Sequence, residues 1–171
     1  MIKYVIGCDP SGNFSEGKGH TGLCVLDRET NVITWTGYTY AGDYDTFEEY
    51  YLATWKELWR LYHHVCNEDA VISIEDYRLY GHKSQAQVNS LLETPRIIGY
   101  LLMQFYRYDI DYYIRCAVQV KKRWAEPVLA HYGYIQAKGK GYILPADGHR
   151  LVTHELDSIK HAVHCSKFEL T

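Results

Sequence analysis

The order in which hydrophobic periods change along the chain is what most narrows the folds open to it. Residues 3–8 are apolar and β-branched, as in a strand buried on both faces. Residues 21–26 and 32–40 run apolar or alternate on either side of a polar turn at 27–31, the pattern of an antiparallel hairpin. Then the period lengthens. Between residues 45 and 66, Phe47, Tyr51, Trp55, Leu58, Leu61, Tyr62 and Val65 recur at helical spacing and predict one long amphipathic helix. Residues 70–74 read as a short buried strand ending at Glu75, and 85–106 as a second helix that Pro95 must kink or split. Residues 111–115 give a fifth strand, 118–132 a third helix, 133–148 a loop bearing glycine and lysine, and about 148–167 a last helix. Three strands followed by alternating helix and strand, without repeat or low-complexity linker, predict an α/β domain on a mixed sheet. With 171 residues, 47% of them hydrophobic, the chain suits one well-filled core, so a single domain over 1–171 is expected.

Nothing in the sequence approaches the length of a signal peptide or membrane span, because Gly7 and Asp9 interrupt the apolar start. Five cysteines, Cys8, Cys24, Cys66, Cys116 and Cys165, are odd in number and contain no C-x-x-C pair. They read as reduced core residues of a cytoplasmic protein. The net charge of −3 argues mildly against a polyanionic partner, but the charge is unevenly spread. Residues 27–76 hold eleven acids against three bases, whereas 78–140 hold ten bases against four acids. Ordinary solvated faces would also look like this.

Two acids, Asp9 and Glu75, each follow a buried apolar strand, so neighbouring strands would present both carboxylates at one sheet edge, where open α/β sheets bind ligands. Near the start of the final helix, His154 and Asp157 are three residues apart, hence on one face and about 5–6 Å apart at Cβ. Singly, each has a plainer explanation as a turn-former, a solvated acid or a helix cap. His161, His164 and Cys165 continue the same helix and invite a zinc reading, but four ligands spread over some three turns are too far apart for one tetrahedral ion. His161, one turn from Asp157, is better placed to orient that carboxylate.

At this point the sequence resembles the RuvC-type Holliday junction resolvases of the ribonuclease-H-like superfamily. Val5-Ile6-Gly7-Cys8-Asp9-Pro10-Ser11-Gly12 is similar to the family's opening Ile-Gly-x-Asp-Pro-Gly, with one residue inserted before the glycine. Thr21-Gly22 followed by Val25 resembles its second strand, Ile72-Ser73-Ile74-Glu75 its fourth, Val118-Gln119-Val120-Lys121 its Gln-Val-Lys stretch, and Asp157-Ser158-Ile159 its terminal Asp-Ala-Leu. The matches keep order and approximate spacing over nearly the whole chain. The resemblance implies a ribonuclease-H-like mixed five-stranded sheet flanked by helices, and a crossover junction endonuclease with Asp9, Glu75, His154 and Asp157 as catalytic metal ligands. It implies two Mg²⁺ or Mn²⁺ ions per site and no small-molecule cofactor. The imidazole of His154 should favour Mn²⁺ more than an all-carboxylate set would. The tyrosine-rich, shortened form is most similar to phage-encoded members.

Branched DNA needs cations for its phosphates and often an aromatic wedge for unstacked bases. Beyond Glu75, Tyr77 and Tyr80 are candidates for stacking and Arg78 and Lys83 for phosphate contact, although a solvated loop whose tyrosines cover the core would read the same. Lys121, Lys122 and Arg123 cannot all share one helical face, so one or two would track a phosphate strand; Lys138 and Lys140 form a basic loop. Paired cuts imply a homodimer, and the apolar-rich helix at 85–106 is the interface candidate. Competing readings are a broader branch or flap nuclease, an actin-like ATPase relative, and a non-catalytic binder of branched DNA. The ATPase reading is disfavoured because the chain lacks a duplicated second domain.

Overall fold

A computed structural model describes residues 2–77 and 92–170. Five strands form one mixed sheet: β1 (Tyr4–Asp9), β2 (His20–Asp27), β3 (Val32–Tyr40), β4 (Ala70–Asp76) and β5 (Tyr112–Cys116), in the order β3-β2-β1-β4-β5. The β1–β2–β3 meander is antiparallel, while β4 and β5 add in parallel to the free edge of β1. Period-two alternation sends successive residues to opposite faces. Ile6, Cys8, Leu23, Val25, Ile72 and Ile74 face one hydrophobic cluster, and Val5, Cys24, Leu26 and Val71 face the other.

The first face is covered by α1 (Phe47–Arg60) and α2 (Glu93–Arg107). Thr46 and Glu49 form a reciprocal cap at the start of α1, and a π-helical turn, Leu61–Val65, extends it. Pro95, expected to kink or split a helix over 85–106, lies in the first turn of α2, where a missing N–H costs no helical bond. Residues 85–91 of that expected helix lie outside the described residues. Of the apolar positions read as interface, Ile97, Ile98 and Leu101 are buried within the chain, Leu102 is half-buried, Leu92 is exposed, and Val88 and Leu91 lie outside the described residues.

The second face carries α3 (Ala117–Arg123), α4 (Glu126–His131), a small hairpin of β6 (Gln136–Lys138) and β7 (Gly141–Ile143), and α5 (Thr153–Phe168). The single helix expected over 118–132 is broken at Trp124 and Ala125, because Pro127 cannot sit inside a continuous helix and instead occupies the first turn of α4. The loop expected over 133–148 contains the hairpin, whose turn uses Gly139 at φ +60°. The last helix starts at Thr153, later than the reading of about 148. All five cysteines are free and buried. Among the described residues no helix is long and apolar enough to cross a membrane.

Two glycines let α5 lie directly on the sheet. A Cβ at Gly7 would stand 2.1 Å from the Ser158 carbonyl oxygen, and one at Gly22 would stand 2.0 Å from that of His154. Neither side chain could exist without moving the helix. This contact fixes which residues of α5 meet the ends of β1 and β4.

Candidate active site

Asp9 ends β1 and Glu75 lies near the end of β4. The parallel register pairs Cys8 with Ile74, so the two carboxylates are neighbours across the sheet. Both follow the odd-numbered alternation that faces α5, since Val5 and Val71 pack on that side. The α5 contact at Gly22, which pairs with Asp9 across β1 and β2, brings His154 to the same place. His154 Nδ1 pairs with Asp9 Oδ2. One turn on, Asp157 joins the group. All four candidate catalytic residues therefore meet at one edge.

The centre of the cluster is held by a lysine. The Lys121 ammonium, from α3, lies 2.7 Å from Asp157 Oδ2, 2.9 Å from Glu75 Oε2 and 3.6 Å from Asp9 Oδ1. A second lysine stands behind: Lys160, 5% exposed, lies 2.8 Å from Asp157 Oδ1 and 2.6 Å from Glu126 Oε1. Asp157 is thus held between two ammonium groups. His161 Nε2 is 3.2 Å from Glu75 Oε2, so this histidine orients Glu75 rather than Asp157 as its spacing had predicted. Glu155, fully buried at the start of α5, accepts from the Val152 backbone N–H at 2.9 Å and pairs with His149.

Burial, at 3% exposure, pushes the Asp9 carboxyl up to about 7, with the adjacent Glu75 adding to the rise against the opposing pull of His154 and Lys121. Burial acts on Glu75 in the same sense but is outweighed by His161, Asp9 and Lys121, which hold it down at about 2. The bond to Asp9 raises His154. Burial opposes charge on Lys121 and Lys160, yet the surrounding carboxylates raise both above the ordinary lysine value. One of the two adjoining carboxyls is therefore readily protonated and the other is firmly ionised.

The segment after Asp9 is pinned by residues far away in sequence. Glu93, 9% exposed, accepts from the backbone N–H groups of Phe14 at 2.8 Å and Ser15 at 3.0 Å, and Thr94 Oγ1 accepts from Gly12 N–H at 2.9 Å. Tyr50 donates to the Ser11 carbonyl at 2.8 Å. These bonds fix the chain as it leaves the sheet edge.

Among solved structures, Thermus thermophilus RuvC superposes with a TM-score of 0.67 at 15% identity, covering 98% of this chain and 96% of that one. T. thermophilus RuvC in complex with Holliday junction substrate gives 0.67 at 14% identity, covering 98% and 95%. The chain has the fold of RuvC. The large terminase nuclease of thermophilic phage G20c aligns at a TM-score of 0.49 and 13% identity, over 96% of this chain and 82% of that one. No family model matches the sequence, and no curated protein matches it. At such identities the likeness fixes the fold and leaves activity to the chain's own residues.

Within this RuvC fold the other candidate residues scatter. Tyr77 follows β4 directly and is half-buried, while Arg78, Tyr80 and Lys83 lie outside the described residues. Lys122 and Arg123 are exposed on α3, where the Arg123 guanidinium lies 4.4 Å from the Phe168 ring centre. Lys138 and Lys140 are exposed on the hairpin. Lys121 parts company with its neighbours, because it points into the acids. His164 and Cys165 do not join His161 at a common point: His164 approaches Glu169. As placed, no three His, Cys, Asp or Glu side chains among the described residues are spaced to hold a metal ion; at Asp9, Glu75 and Asp157 the Lys121 ammonium occupies the centre, so an ion could enter there only as Lys121 withdraws. Lys160 and Glu126 were not anticipated. The only sequence signal for Lys160 was its place three residues after Asp157, and Glu126 gave none.

Proposed function

We propose that this chain is a divalent-metal-dependent endonuclease that hydrolyses phosphodiester bonds in branched DNA and resolves four-way junctions by paired nicks. The observation that carries the reading is the convergence of Asp9, Glu75 and Asp157 on one ammonium ion. Three acids gathered about a cation at the sheet edge suit a hard divalent ion, since Mg²⁺ and Mn²⁺ prefer oxygen donors. Asp9, Glu75 and Asp157 would hold Mg²⁺ or Mn²⁺, with His154 as an added ligand. Two such ions supply an activated water and stabilise the leaving oxygen in phosphodiester hydrolysis.

The chain's own residues prepare this chemistry. His154 fixes Asp9, His161 fixes Glu75 and Lys160 fixes Asp157, so each carboxylate has one oriented oxygen. Lys121 balances their charge, and its flexible stem lets the ammonium pass to a phosphate oxygen as substrate enters. Tyr77, Arg78, Tyr80 and Lys83 beyond Glu75 would contact the branch, and Lys122, Arg123, Lys138 and Lys140 the backbone. The T. thermophilus RuvC structure with a Holliday junction substrate supports the choice of four-way DNA. Paired nicks need two centres, hence a cytoplasmic homodimer of a single-domain chain.

The test is cleavage of an end-labelled four-way junction beside a linear duplex of the same sequence, in Mg²⁺ or Mn²⁺, by wild type and Asp9→Asn. Symmetric nicks near the crossover that disappear in the variant are expected. Equal cutting of flaps and three-way branches would favour the broader branch nuclease, and absence of metal-dependent cutting would reject both.

A further inference from the structure

The β6–β7 hairpin stands apart from the main sheet and is tied to the segment entering α5. Ile143 bridges to Arg150, Leu151 N–H donates to the Tyr142 carbonyl at 3.0 Å, and Leu144 N–H to that of His149 at 2.8 Å. Between hairpin and helix runs an open groove of about 430 Å³, lined by Lys140, Tyr142, Arg150, Thr153, Leu156 and Glu126 among others. Thr153 and Leu156 immediately precede His154 and Asp157, so the groove follows the helical face beside the one that carries the site. Among its lining residues is Glu126, which shares Lys160 with Asp157.

The free charge in this groove is positive. Lys140 and Arg150 are exposed, and among the described residues neither makes an ion pair or side-chain hydrogen bond. The groove's acid is already committed, since Lys160 holds Glu126 below the usual carboxylate range. Gly141 leaves room for the guanidinium, as a Cβ there would stand 3.3 Å from Arg150 Nη2. Thr153 adds an exposed hydroxyl. Two uncommitted cations along an open channel suit a polymer with regularly repeated negative charge, and the guanidinium fork matches two phosphate oxygens.

We propose that this groove binds the phosphodiester backbone of the DNA strand running away from the scissile phosphate, with Arg150 and Lys140 as its phosphate-binding cations. The inference rests on the nuclease reading and adds to it a defined path for the substrate strand. Each phosphate contact steepens the fall of log affinity with log salt by about 0.9.

The test is equilibrium binding of a fluorescent four-way junction in Mg²⁺, followed by anisotropy from about 50 to 200 mM salt, in the cutting-deficient Asp9→Asn background. Adding Lys140→Gln and Arg150→Gln should weaken binding and reduce the salt slope by about 2, so that affinity falls about tenfold less between about 50 and 200 mM salt than in the parent. Arg150→Lys, which keeps the charge, should retain most of the slope, and Lys56→Gln on α1 should leave it unchanged. If the parent binds and the double variant, folded by circular dichroism, keeps the parental slope, the groove assignment is overturned while the nuclease reading stands. If the parent binds no branched DNA, both fall.

Discussion

Lys121 separates two roles that adjacent lysines would otherwise share. Its ammonium contacts three acids, whereas Lys122 is exposed on the same short helix. Lys121→Gln should therefore lower the cleavage rate about 10²–10³-fold, the usual cost of removing one group that stabilises developing charge, with little change in junction affinity. Lys122→Gln should do the reverse. Single-turnover kinetics beside anisotropy titrations distinguish them. His154 offers a second check at this scale: His154→Asp should lower the ratio of Mn²⁺ to Mg²⁺ activity, and an unchanged ratio would remove histidine from the ligand set. Titration gives a third. Asp9 sits at about 7 when folded against an ordinary 3.8, so the folded chain holds an extra proton between these values and loses stability as pH rises through them. His154, raised by Asp9, likewise contributes stability below about 6.5 that is lost as pH rises through its folded value. His164, lowered by burial, works oppositely as pH falls below its ordinary value. Metal-free wild type should thus melt at lower temperature near pH 8.5 than near pH 6, each kcal/mol appearing as about 2–4 °C. Asp9→Asn should lose most of that difference in scanning calorimetry.

At the scale of elements, the site depends on how closely α5 approaches the sheet. Gly7→Ala or Gly22→Ala would drive a methyl group into a backbone carbonyl, and a backbone cannot yield as a side-chain tip can. Such overpacking costs about 1–3 kcal/mol or more. The displacement falls on His154, Asp157 and their contacts, so cleavage should fall further than the drop in melting temperature explains; equal activity at full occupancy of the folded state would contradict this. The same elements mark what was legible in the sequence. The strands were readable because their period of two is local, and Asp9 and Glu75 could be placed at one edge because each ends such a run. The break before Pro127 was misread because apolar spacing on either side of Trp124 continued a helical pattern. The β6–β7 hairpin was missed because its strands have three residues each and no alternation to detect. Lys160, Glu126 and the partnership of His161 with Glu75 depend on how helices meet in space, which no local period records.

At the scale of the whole molecule, the uneven charge of the sequence resolves into an arrangement. Acids from three separate elements are collected at one edge of the sheet and neutralised there by lysines, while other cations on α3 and on the hairpin are exposed. A nuclease needs both, an anionic centre to hold metal and a cationic surround to hold phosphate. Everything proposed for this chain depends on the acids around Lys121 forming a divalent-ion site. The most direct measurement is Mn²⁺ binding followed by electron paramagnetic resonance, comparing wild type with Asp9→Asn and Asp157→Asn. Wild type should bind Mn²⁺, more tightly as pH rises toward about 7 and Asp9 gives up its proton, and binding should be markedly weakened in both variants. Mn²⁺ binding that is absent from the wild type, or equal in all three proteins, would contradict that assignment.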